Sequence, residues 1–74
     1  MPHVHIRHFP QPLTGKEKKD LAEAVTAVIQ RSLGVGEGAV SVALEPVEKA
    51  DWQVQVYEPE ITGRSELLIK RPDY

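Results

Sequence analysis

Four residues near the start of the chain have the types and spacing to do chemistry. In Met1-Pro2-His3-Val4-His5-Ile6-Arg7-His8 a proline follows the first methionine, and histidines stand at positions 3, 5 and 8. Methionine is usually removed when the next residue is proline. Removal leaves Pro2 with a free secondary amine, a rigid base or nucleophile held by its ring. With Met1 in place the same nitrogen is a tertiary amide with neither N–H nor basicity. The plainer reading is a proline that merely opens an edge strand. The histidines raise metal binding, since neutral imidazole is a good zinc ligand. A metal site needs three or four ligands, however, and the chain has no cysteine. Solvated or hydrogen-bonded histidines are the simpler account. Ser32, Ser41 and Ser65 carry no nucleophile motif around them, and the carboxylates are scattered.

The elements that must position these groups follow from the pattern. Alternation over His3–Phe9 predicts a strand with Val4, Ile6 and His8 on one face and His3, His5 and Arg7 on the other. Pro10 and Pro12 end it. Thr14-Gly15-Lys16-Glu17 fits a capping box, which predicts a helix over Gly15–Leu33. Its apolar face is Leu21, Ala24, Val25, Val28, Ile29 and Leu33, and its lysines form a solvated face. Gly34 is the expected left-handed cap. Gly34-Val35-Gly36-Glu37-Gly38 is a turn and not a phosphate loop, because it leaves a helix and enters a strand. Ala39–Glu45 predicts the second strand, with Val40, Val42 and Leu44 on its apolar face. Strand, helix and strand at this spacing make a βαβ unit with parallel strands and a right-handed crossover. Beyond Pro46, Trp52–Tyr57 is expected to form one or two helical turns. Glu58–Gly63 reads as punctuation, and Ser65–Lys70 as a short packed segment.

The totals bound the answer. Seventy-four residues make a single domain, residues 1–74, with a marginal core. Two strands and one helix are not an independently stable sheet. Two copies complete a four-stranded sheet with two helices on one face, so a homodimer is expected. A net charge of −2 and only four aromatic residues argue against nucleic-acid partners. No apolar run reaches the roughly 20 residues of a membrane span, and no signal peptide is evident. The expectation is a soluble cytoplasmic α/β protein (α+β by some schemes) without a cofactor.

Pro2, the strand His3–Phe9, the capped helix from Thr14, the helix-end glycine and the valine-rich second strand together resemble the 4-oxalocrotonate tautomerase family. Lys49-Ala50-Asp51-Trp52, Tyr57-Glu58-Pro59-Glu60-Ile61 and Lys70-Arg71-Pro72-Asp73-Tyr74 look like its PptA-like branch. The resemblance spans nearly all of the chain. It implies a βαβ protomer that pairs into a four-stranded sheet, and keto–enol tautomerisation of 2-oxo acids or their enols. It implies that Pro2 is the general base, and that Trp52 falls where the family has an aromatic pocket wall, sometimes donated by the partner. Well-studied members carry arginines where this chain has Pro12 and Ser41. An aryl enolpyruvate therefore fits better than a diacid, and any carboxylate-holding cation must come from elsewhere. Arg64, Lys70 and Arg71 are candidates, and His3 stands next to the base. The alternatives are a non-catalytic βαβ oligomeric interaction module and a histidine-based metal binder.

Overall fold

The computed structural model describes all 74 residues, Met1–Tyr74. Strand β1 (His3–His8) and strand β2 (Ser41–Pro46) pair in parallel, with His3 opposite Ser41, Val4 opposite Val42, Ile6 opposite Leu44 and Arg7 opposite Glu45. Helix α1 (Gly15–Leu33) connects them. The βαβ unit is therefore as expected, and each strand keeps one unpaired edge.

Helix α1 starts and stops where its sequence dictates. The Thr14 hydroxyl accepts from the Glu17 N–H at 3.1 Å, and the Glu17 carboxylate accepts from the Thr14 N–H at 2.9 Å. The backbone bond to Thr14, and then its hydroxyl, hold the Glu17 carboxyl below the ordinary carboxylate range. Gly34 closes the helix at φ 66, a left-handed conformation that costs glycine little. Lys16 and Lys19 pair with Asp20 and Glu23 one turn on, as befits a solvated face. The apolar stripe is split. Leu21, Val25 and Ile29 are half-buried, whereas Ala24, Val28 and Leu33 remain exposed.

Three departures from expectation have physical causes. Strand β2 begins at Ser41 and not Ala39, because Glu37–Ala39 winds into a 3₁₀ turn after Gly36. Trp52–Tyr57 is helical, but the helix is a π-helix spanning Gln53–Thr62, which runs straight through Glu58-Pro59-Glu60. The wider winding bonds each N–H five residues back, so Pro59 forfeits one rung without ending the helix. Glu58–Thr62 is thus helix interior and not punctuation. Gly63 then donates its N–H to Glu58 O at 2.7 Å. A Cβ on Gly63 would lie 2.8 Å from Glu58 O and 2.9 Å from Pro59 O, so the last turn closes only over a glycine. The segment Ser65–Leu67 is a 3₁₀ turn, and the tail beyond it is irregular.

Only Val47 and Val56 are buried. The radius of gyration is 13.8 Å, against about 11 Å for a compact globule of this length. The protomer is an open slab 19 Å thick, with Val28, Leu33, Val54, Leu67 and Ile69 exposed to solvent. No helix is long and apolar enough to cross a membrane.

Candidate functional site

Pro2 stands at the head of β1. Its carbonyl accepts the N–H of Ser41 at 3.2 Å, so the parallel ladder fixes the peptide that carries the ring. Met1 beyond it is fully exposed. His3 and Ser41 are register partners, and His3 Nδ1 lies 2.6 Å from Ser41 Oγ on the exposed face of the sheet. Pro2, His3 and Ser41 thus form one cluster, as two adjacent parallel strands require.

Trp52 is at the opposite end of β1. It meets Phe9 edge to face with ring centroids 5.1 Å apart, and its indole N–H donates to Tyr74 Oη at 3.3 Å. Tyr57 meets Tyr74 with its ring tilted at 41° and centroids 5.7 Å apart, and donates its hydroxyl to the Tyr74 carbonyl at 3.4 Å. These rings, with Arg7, His8 and Gln53, line an open cleft of about 770 Å³. A second cleft of about 450 Å³ lies on the other side of Trp52, lined by His5, Arg7, Val56, Glu60, Ile61 and Arg64. Bonding five residues back lets Trp52, Val56 and Ile61, four or five residues apart, face the same space. The π winding is therefore what brings Trp52 and Arg64 into one cleft.

Arg7 borders both clefts and anchors the π-helix to the sheet. Its guanidinium donates to Gln55 O at 2.8 Å and to Gln55 Oε1 at 3.4 Å. Arg7 Nε sits 3.2 Å from Glu45 Oε1, an ion-pair contact too poorly aligned for a hydrogen bond. The same carboxylate oxygen lies 2.8 Å from His5 Nε2. Arg64 is half exposed and reaches Glu60 only at 3.4 Å, leaving most of its donors free. Arg71 lies apart from Trp52, across Tyr57, and donates to Ser65 O at 3.3 Å.

Each histidine has its own partner: His3 on Ser41, His5 on Glu45, and His8, whose Nδ1–H donates to Phe9 O at 2.6 Å. His8 Nε2 is buried without a partner beside the Trp52 cleft. No three His, Asp or Glu side chains converge as a metal site would require. The sequence reading missed Arg7, Phe9, Tyr57 and Tyr74 as companions of Trp52. The signal was present for Arg7, a charged residue inside a strand, on the face where the later segment docks.

Within one protomer these groups form two sites and not one. Seven residue steps separate Pro2 from Phe9, about 23 Å of extended strand. The base end has no aromatic wall, and the aromatic end has no base.

Comparison with known proteins adds the family. The family model described as "Tautomerase enzyme" matches residues 2–59. The chain is similar to the protein called Tautomerase PptA from Klebsiella pneumoniae (strain 342), with 47% identity over all 74 residues and 97% of that relative. It is 42% identical to Tautomerase PptA of Enterobacter sp. (strain 638) and 36% identical to that of Pectobacterium carotovorum subsp. carotovorum (strain PC1), at the same coverage.

Proposed function

The chain belongs to the tautomerase family, and on that premise we propose that it isomerises a 2-oxo acid and its enol, with Pro2, freed by removal of Met1, as general base. The amine takes the proton from the enol hydroxyl. The oxygen lone pair forms the C2 carbonyl, and the C2=C3 π pair takes a proton back from the prolinium at C3. The reaction moves one proton and needs no electron acceptor. The observation that carries this reading is the anchoring of Pro2. Its carbonyl is held in the ladder at 3.2 Å, and one fully exposed residue separates its ring from being a free amine. An α-amine titrates near 8 in model peptides, and either an apolar wall or a nearby cation lowers that.

The wall comes from a second copy. Antiparallel pairing of two β1 edges about a two-fold axis at the strand centre, at His5 or Ile6, brings Pro2 of one protomer close to Phe9 and Trp52 of its partner and keeps like faces together. Pairing through β2 would leave each Pro2 far from any aromatic cleft. The β1 pairing also lays the two α1 helices side by side, which would cover the exposed Ala24, Val28 and Leu33 stripe. An open 74-residue slab with two buried residues supports such a homodimer. The substrate that fits is an aryl enolpyruvate, its ring against Trp52 and its carboxylate toward Arg64, with Arg7 behind. Arg71 is spent on a backbone carbonyl, and Pro12 and Ser41 offer no cation.

Intact mass and ketonisation of phenylenolpyruvate test the reading together. Protein lacking Met1 is expected to turn the enol over, and Pro2→Ala is expected to lose most of that turnover with its fold unchanged. Equal turnover in the variant removes Pro2 from the mechanism.

A further inference from the structure

The steps above leave one charge without a partner at the base end of the site. When Pro2 has taken the enol proton, the oxygen on C2 carries the negative charge until the carbonyl has formed. A donor aimed at that oxygen stabilises the transition state more than the bound enol, and so raises kcat. Within one protomer Arg7 and Arg64 lie at the far end of β1, and across the dimer Arg64 is taken up by the substrate carboxylate and Arg7 by Gln55.

We propose that the Ser41 hydroxyl donates the hydrogen bond to the C2 oxygen, and that His3 is the residue that aims it. The proposal rests on Pro2 being the base. Three observations carry it. The backbone N–H of Ser41 is bonded to Pro2 O at 3.2 Å, so Ser41 is tied to the peptide that bears the reacting amine. Its Oγ lies 2.6 Å from His3 Nδ1, a short contact between register partners on neighbouring strands. Both side chains are exposed on the open face of the sheet, so a substrate can approach them.

The proposal takes the His3 tautomer that carries its hydrogen on Nδ1. A serine hydroxyl has one hydrogen to give and two lone pairs to receive. When His3 Nδ1–H donates into Oγ, the hydroxyl hydrogen is turned outward. Donation into an oxygen also polarises that oxygen's own O–H, making it a stronger donor to the next group in the chain. His3 is thus a positioning residue and Ser41 the catalytic residue. The serine at this position replaces a fixed cation with a neutral donor that responds to charge as it develops. This suits a monoanionic substrate, whose single carboxylate has its own cation in Arg64.

The test uses processed full-length protein and phenylenolpyruvate. Ser41→Ala is expected to lower kcat about 10- to 100-fold, the range for one donor to a developing oxyanion, with KM nearly unchanged. Ser41→Thr keeps the hydroxyl and is expected to keep most of kcat. His3→Ala is expected to fall like Ser41→Ala. His3→Asn places an amide N–H near the position of Nδ1 and is expected to restore kcat. Ser41→Ala with kcat within twofold of the parent, or with a raised KM and unchanged kcat, overturns the catalytic role. His3→Asn as slow as His3→Ala overturns the aiming role. Pro2→Ala, run alongside, separates the cases: if it is inactive while Ser41→Ala is fully active, only the serine assignment falls. Full activity in both removes the base reading as well.

Discussion

Trp52 meets Phe9 edge to face, ring planes at 86° and centroids 5.1 Å apart, at the end of β1 remote from Pro2. An edge-to-face pair fixes the indole plane and leaves a broad apolar face for a ligand. An aryl substrate uses that face, whereas a second carboxylate gains nothing from it and must be taken from water without a guaranteed partner. Phenylenolpyruvate is therefore expected to show a higher kcat/KM than 2-hydroxymuconate. Trp52→Ala is expected to cut the aryl value about tenfold, one aromatic contact plus buried area, and the diacid value less. Side-by-side kinetics decide it, and a clear preference for the diacid refutes it.

Separation of base and wall along β1 makes a sharper prediction about assembly. Light scattering at micromolar concentration is expected to give a dimer. A mixture of Pro2→Ala and Trp52→Ala chains, unfolded and refolded together, is expected to recover about a quarter of parental turnover. Random pairing makes half the dimers mixed, and each mixed dimer holds one site with both groups intact. If base and wall came from the same chain, no mixed dimer would hold a complete site, and the mixture would show only the residual turnover of sites that lack Trp52, about a twentieth of parental.

Arg64 and Arg71 divide on their partners. Arg64 faces the Trp52 cleft and touches only Glu60 at 3.4 Å, while Arg71 is bonded to Ser65 O. Arg64→Gln is expected to raise KM for the aryl enolpyruvate about three- to tenfold, modest because the pair is open to solvent. Arg71→Gln is expected to leave KM alone. Steady-state KM for the two variants is the measurement, and a larger effect at Arg71 would reverse the assignment.

Stability should fall in acid through Glu17. Its carboxyl is held below the ordinary range by Thr14, so the folded state binds fewer protons than the unfolded chain. The stabilisation is full above the carboxylate range, and is lost as the pH falls through the lowered folded value. Melting temperatures of the parent and Glu17→Ala are therefore expected to differ at neutral pH and to converge as the pH drops below about 4. A gap that persists unchanged into acid would show that the carboxylate charge is not what Thr14 holds.

These relationships were unequally legible in the residues. Helix α1 was readable to its ends, because Thr14, Glu17 and Gly34 signal locally and the apolar spacing fills the interval. The strand pair was readable from alternation, apart from its ends: the turn after Gly36 takes Ala39 and Val40, and β1 stops at His8, one residue short of Phe9. The π-helix was not readable. Bonding five residues back has no capping motif, and Val54, Val56 and Pro59 each argue locally against a helix. For that reason Trp52 could be singled out alone, while its neighbours Arg7, Arg64 and Tyr74 depended on a winding the sequence pattern does not announce. Pro2, His3 and Ser41 came together because parallel register needs only that the two strands be recognised.

Gly63 shows how far such a winding reaches. It bears no functional group, its φ of −70 suits any residue, and no reacting atom comes near it. Yet Glu58 O and Pro59 O leave no space for even a methyl group. Any replacement must loosen the last turn and swing Arg64, its immediate neighbour, out of the cleft. In a mutational scan read out by turnover, Gly63 would behave as intolerantly as an active-site residue. Its requirement would be purely one of backbone clearance, and restoring a polar side chain anywhere nearby would not rescue it.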